Sequence, residues 1–131
     1  MDCTLSKDLL PYEKVPLYRT IRDCLQHAYC IVVSIPKAYK FTIGSDSINS
    51  LRKTAESIFL AYEDGISIEN KLTHLRNAKK YLHNTLITYR IMSDLGQVVK
   101  REDYIEQING IMLANNKIDR WIKTLTEQLS V

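Results

Sequence analysis

The sequence predicts an all-α protein, a single antiparallel up-down-up-down four-helix bundle. Apolar residues recur at three- and four-residue spacing through four long segments, the period of one helix face. Gly44, Gly65 and Gly96 fall between these segments, where turns and helix ends need them. No pair of alternating stretches reads as strands, and no repeat or low-complexity tract interrupts the pattern. A chain of 131 residues suits one domain with a real core. Residues 1–14 are expected to form a loosely ordered N-terminal segment of it.

The first helix is predicted over about residues 15–35. Its apolar row is Leu17, Ile21, Cys24, Ala28, Ile31 and Ile35, with Pro16 tolerated in the first turn and Pro36 as the stop. The second begins near Ser45 or Asp46, both competent N-caps, and runs to Gly65. It carries the narrow seam Ile48, Leu51, Ala55, Ile58 and Tyr62. The third starts after Ser67 as N-cap, carries Ile68, Leu72, Leu75, Leu82, Leu86 and Tyr89, and closes at Gly96. The fourth opens near Arg101 with Glu102 and Asp103, carboxylates suited to the positive end of the helix dipole. Its row is Ile108, Ile111, Asn115, Ile118, Ile122, Leu125 and Leu129, in which Asn115 either fixes register or is satisfied by a neighbour. Short connections favour antiparallel neighbours. The longer segment 36–44 reads as a loop holding Lys37, Tyr39, Lys40 and Phe41 without a carboxylate. At 1.5 Å per residue the third and fourth helices exceed about 40 Å, against roughly 28 Å for the second. That overhang leaves apolar surface for a partner subunit.

Composition excludes several classes. Hydrophobic residues at 45% and charged residues at 25% give the balance of a globular chain, and a net charge of +3 does not by itself imply nucleic acid. The apolar run at residues 29–33 is far short of the roughly 20 residues of a membrane helix, and no other run approaches that length. Asp2 and Asp8 near the start, with no signal-like apolar stretch, lead us to expect a cytoplasmic chain. Cys3, Cys24 and Cys30 contain no CxxC and do not suggest a disulfide framework. A metal site from Cys24, His27 and Cys30 is disfavoured, because the three fan around the helix at about 100° per residue. No catalytic residue, metal or cofactor is predicted. There is no Glu-x-x-His pair, phosphate-binding glycine loop or GxSxG elbow, and Asp23 with His27 reads as a local hydrogen-bonded pair.

Charge distribution is more informative than its sum. Between residues 70 and 93 there is no Asp or Glu, while Lys71, Arg76, Lys79, Lys80 and Arg90 are present. Arg76, Lys79, Lys80, His83 and Arg90 share a sector of about 100° beside the apolar row. The opposite flank, Asn70, Thr73, Asn77, Tyr81, Asn84 and Thr88, is polar and uncharged. The basic flank suits phosphates or an acidic protein, and the neutral flank suits another chain, since interface cores are depleted of charge. The alternative is a solvated face whose lysines pair with acids of neighbouring helices, such as Glu56 or Glu106. Tyr39 between Lys37 and Lys40 either stacks on a base or packs the loop onto the bundle. Trp121, the only Trp, is a core-edge residue or an interface anchor.

The segment Ser34-Ile35-Pro36-Lys37-Ala38-Tyr39-Lys40-Phe41-Thr42-Ile43-Gly44 resembles the proline-basic-aromatic loop of the Avd proteins, accessory variability determinants of diversity-generating retroelements. These belong to the wider family of four-helix bundles linked to ribosomal RNA intervening sequences. Leu75 and Ala78, Asp94-Leu95-Gly96, Tyr104 and Trp121-Ile122-Lys123 extend the resemblance over about residues 17–125. It implies a ring-forming homo-oligomer, typically a pentamer, that associates with a reverse transcriptase and its template RNA and does no chemistry itself. Lys37, Lys40, Arg76, Lys79, Lys80 and Arg90 are then the candidate residues for RNA or DNA, carried mainly by their charge. Asn77, Tyr81, Asn84, Thr88 and Trp121 are the candidate oligomer contacts. The acidic start of the fourth helix, Glu102, Asp103 and Glu106, departs from a uniformly basic surface. The alternative is a structural or protein-interaction bundle of the intervening-sequence type without nucleic-acid binding.

Overall fold

Four long helices account for most of the chain in a computed structural model that describes residues 15–96 and 98–130. The expected N-terminal segment and Cys3 lie outside the described residues. The helices are α1 (Pro16–Ser34), α2 (Ser45–Ala61), α3 (Ile68–Asp94) and α4 (Arg101–Leu129), and no strand occurs among the described residues. With 19, 17, 27 and 29 residues, they measure about 28, 26, 40 and 44 Å.

Local chemistry explains most boundaries. Pro16 stands at the start of α1, where its missing N–H costs nothing, and Pro36 follows the C-cap residue Ile35. Ser67 caps α3 by accepting a hydrogen bond from the Asn70 amide at 3.1 Å. Gly96 (φ 67°), directly after the C-cap of α3, and Gly65 (φ 82°), in the turn between α2 and α3, adopt the left-handed backbone without a Cβ penalty.

The segment expected to be a loop is helical instead. A short α-turn, Lys37–Tyr39, passes into a π-turn, Lys40–Gly44, which runs straight into α2. Neither Ser45 nor Asp46 therefore caps α2; its preceding residue is Gly44, in helical conformation with φ −61°. Gly44 is not a turn glycine. A Cβ there would lie 2.9 Å from Ile35 Cδ1 and 3.2 Å from the Tyr39 carbonyl oxygen, so its role is close approach to α1. At its other end α2 stops at Ala61, short of Gly65. The Lys71 ammonium reaches back from α3 to the carbonyls of Ala61 (2.8 Å) and Glu63 (3.2 Å), satisfying acceptors left free at that helix end.

Each helix packs on two others, in the cycle α1, α2, α3, α4 and back to α1. All six predicted apolar residues of α1 are buried, facing Leu51 and Ile58, Leu75, Leu82 and Met92, and Ile111 and Ile118 from the other three helices. Each fully buried Leu or Ile contributes about 2 kcal/mol. The α2–α3 contact is the most extensive, and it is built on small side chains. Ser47, Thr54, Ala78 and Thr85 are completely buried there. The hydroxyls of Ser47, Thr54 and Thr85 return to backbone carbonyls one turn earlier, and Ser50 meets Thr85 at 2.6 Å.

Cross-helix pairs run in opposite order along neighbouring helices. Against α4, Lys117 meets Thr20, Gln107 meets Cys24 and Asp103 meets His27. Along α3 and α4, Lys79 meets Asp119 and Tyr89 meets Gln107.

Candidate nucleic-acid interface

The basic side of α3 is turned outward. Arg76, Lys80, His83 and Arg90 are exposed, and Lys79 is half-buried. Lys79 donates to Asp119 of α4 at 2.6 Å, so one of the predicted contact residues is already paired. Its partner is neither Glu56 nor Glu106. Both side chains of this pair are 38% and 48% exposed, where such a bridge contributes less than about 1 kcal/mol. Arg76, Lys80 and Arg90 have no ion pair among the described residues. His83 borders a groove of about 220 Å³ between α3 and α4, lined by Leu82, Leu86, Ile111, Met112 and Asn115. Asn115 is half-buried there at the edge of the core.

The connector adds Lys37, exposed, and Lys40, half-buried. Tyr39 packs against the core. Its neighbour Phe41 is 80% exposed and is the aromatic ring free to stack. Sequence reasoning also left out Lys100 and Arg101, which border a cavity of about 470 Å³ with Ser93, Tyr104 and Ile105. Two cations at a helix N-terminus oppose the dipole, and that anomaly was the available signal.

Four of the five expected oligomer contacts, Asn77, Tyr81, Asn84 and Thr88, share one side of α3, and Trp121 lies on α4. Asn77 and Asn84 are exposed, whereas Tyr81 and Thr88 are half-buried. Tyr81 carries the Lys53 ammonium of α2 5.6 Å above its ring, and Thr88 bonds the Asn84 carbonyl at 2.9 Å. Trp121 is half-buried and stacks on Tyr62 at 4.3 Å, lining a cavity with Leu17, Lys117 and Arg120. The outward row on α3 is Ile87, Ile91 and Leu95, which are 41%, 46% and 51% exposed. Their i, i+4, i+8 spacing, displaced from the core row, was legible but unused.

Where α1 meets α4 lies a polar network with no counterpart in the predicted sites. Gln107 is 1% exposed. Its amide nitrogen donates to the Cys24 carbonyl at 2.8 Å and to the Tyr89 hydroxyl at 3.0 Å. Its amide oxygen stands 3.2 Å from His27 Nδ1. Ser47 is a further hydrogen-bond partner of the Tyr89 hydroxyl, and its own hydroxyl donates to the Gly44 carbonyl at 2.6 Å. His27 thus turns to residues 103, 106 and 107, and not to Asp23 as its own helix suggested. Cys24 is buried and Cys30 exposed, on different sides of α1, in keeping with the fan read from the sequence. Burial, reinforced by the Asp23 carboxylate, pushes the Cys24 thiol up to about 12, and burial alone raises Tyr62 to about 12. Tyr89 is raised by burial despite its hydrogen bonds to Gln107 and Ser47.

No described helix is long and apolar enough to cross a membrane. Compared with known families and curated proteins, the chain matches no family model and no curated sequence.

Proposed function

We propose that this chain is a non-catalytic, cytoplasmic accessory protein that assembles with itself and associates with a reverse transcriptase and its template RNA in a diversity-generating retroelement. The observation that carries the reading is the set of exposed cations on α3, Arg76, Lys80 and Arg90, without carboxylate partners among the described residues. A solvated helix face ordinarily intersperses Glu with Lys. The resemblance of residues 34–44 supplies the enzyme and RNA as partners and a pentameric ring as the assembly. The opposite order of paired residues along neighbouring helices supports the antiparallel up-down-up-down arrangement. A ring repeats each subunit's cations, so weak phosphate contacts gain through avidity.

Phosphate contacts release counterions, so affinity for single-stranded RNA falls with salt at a log–log slope of about −0.7 per contact. Anisotropy of a labelled RNA titrated at several salt concentrations measures that slope. The double variant Arg76→Glu/Lys80→Glu is expected to bind more weakly and to reduce the slope by at least about 1.4. An unchanged slope and affinity would remove α3 from the interface.

The exposed row Ile87, Ile91 and Leu95 favours a second reading, a protein-interaction bundle without nucleic acid. Light scattering at low and high salt separates the two when combined with the RNA titration. A salt-resistant oligomer that ignores RNA supports the second reading, and a monomer argues against self-assembly in both.

A further inference from the structure

One group of potential metal ligands is assembled among the described residues, from His27 of α1 and Asp103 and Glu106 of α4. His27 Nε2 lies 3.3 Å from Asp103 Oδ1 and 3.5 Å from Glu106 Oε2, and the three ligand atoms fall within 4.8 Å of one another. These residues are 76 and 79 positions apart along the chain, so helical spacing alone gives no hint of the cluster.

The state of His27 follows from its neighbour. A backbone carbonyl only accepts hydrogen bonds, so the Gln107 atom 2.8 Å from the Cys24 carbonyl is the amide nitrogen. The amide oxygen therefore faces His27 Nδ1 at 3.2 Å and also only accepts. Nδ1 must carry the hydrogen. In the neutral imidazole, Nε2 then directs a lone pair at two carboxylates. Three donor atoms from two helices thus come together within 4.8 Å of one another.

A proton shared with the carboxylates and a metal ion are the two candidates for the space between these atoms. The 3.3 Å and 3.5 Å separations of Nε2 from the two carboxylates admit either one. Ligands held tetrahedrally at 2.0–2.1 Å from zinc stand about 3.3 Å apart, close to both. Metal-bound histidine also commonly donates its other ring N–H to a fixed acceptor, which sets the tautomer, and Gln107 supplies that acceptor. We propose that His27, Asp103 and Glu106 bind a divalent transition ion of the zinc class, with Gln107 orienting the histidine. A cavity of about 170 Å³ beside the cluster, lined by His27, Glu106 and Gln107, leaves room for water as a fourth ligand. Glu106 is 74% exposed on its side chain, so an ion can enter without opening the core. The positive end of the α4 dipole is equivalent to about half a charge, which the two carboxylates outweigh.

The test uses the full chain carrying Cys30→Ser, which removes an exposed thiol that would bind zinc independently. After chelator treatment and dialysis, zinc is titrated calorimetrically, and cobalt(II) is followed by its visible ligand-field absorption. One ion per chain is expected, with a raised Tm. Glu106→Gln, a surface change that leaves the core intact, is expected to weaken binding at least tenfold, as is His27→Gln. Absence of saturable binding would overturn the proposal. So would stoichiometric binding that both variants leave unchanged, since it would place the ion elsewhere.

Discussion

Replacing Gln107 by Leu tests whether the polar network is a structural device or an incidental contact. The substitution keeps the approximate volume and removes three hydrogen bonds, at 2.8, 3.0 and 3.2 Å. The partners are not stranded equally. The Cys24 carbonyl still accepts a bond within α1, Tyr89 keeps Ser47, and the His27 side chain is 18% exposed and reaches water. The full penalty for orphaned buried groups therefore does not apply, and the net value of about 0.5–1.5 kcal/mol per bond does. The expected loss is about 2–3 kcal/mol, a large share of the 5–15 kcal/mol of a typical domain. Urea unfolding at fixed protein concentration measures it, since self-association would otherwise shift the midpoint. A cycle with Tyr89→Phe should show coupling of about 0.5–1.5 kcal/mol, because both variants lose one shared bond. If Gln107→Leu lies within about 0.5 kcal/mol of the native chain, or if the two changes simply add, the network contributes nothing specific.

Three further outcomes follow from particular contacts. Gly110→Ala should destabilise by about 1–2 kcal/mol despite the better helix propensity of Ala, because the new Cβ would sit 2.8 Å from Cys24 Sγ; chemical denaturation checks this, and Cys24→Ala in the same chain should restore most of the loss. Lys71→Met should cost about 1–2 kcal/mol by uncovering the Ala61 and Glu63 carbonyls, and hydrogen exchange should show faster opening at the end of α2 before the rest of the bundle. The Cys24 and Tyr62 pKa values lie above their unfolded values of about 9 and 10, so both groups keep protons that the unfolded chain has lost. Stability from these two groups should be level below pH 9 and fall between pH 9 and 12, by up to about 1.4 kcal/mol per pH unit for the buried Cys24, with Cys24→Ala flattening the decline in alkaline denaturant titrations.

Much of the fold was legible because helix burial follows a single period. The α1 row was read without error, since every member is apolar and faces the core. The α4 row was displaced to one side. Polarity picked out Ile108 and Asn115, both half-buried, and passed over Gln107 and Ala114, which are 1% and 0% exposed. A small residue at a close approach and an amide with every hydrogen bond satisfied are as buried as any Ile, but neither announces itself by hydropathy. Leu129 shows the converse, an apolar residue in perfect register that is 43% exposed beyond the packed length of the bundle. The connector failed for another reason. Proline, lysine and glycine in one short stretch read as loop chemistry, whereas Gly44 is required by the nearness of Ile35 and Val32 and not by its backbone angles.

The surface chemistry was less legible, because it is made between helices. Periodicity groups residues three or four apart on one element, and so it assembled the basic flank of α3 and paired Asp23 with His27. The contacts that decide the charges cross from one helix to another: Lys79 to Asp119, Lys71 to Ala61, and His27 to Asp103. The first removes a cation from the candidate interface, the second uses one to finish a helix, and the third converts a lone histidine into a potential ligand. An RNA-facing surface therefore cannot be counted from the sequence as the sum of its lysines and arginines. What remains on α3 after those pairings is Arg76, Lys80 and Arg90, next to an apolar row on the same helix, with Lys37 and Lys40 on the connector. Because Ile87 and Ile91 flank Arg90 along α3, a subunit that covers the apolar row would also bring that arginine to its border. The proposed self-assembly and the proposed phosphate binding would then be coupled through one helix, and mutations in the apolar row should change the salt dependence of RNA binding as well as the mass of the assembly.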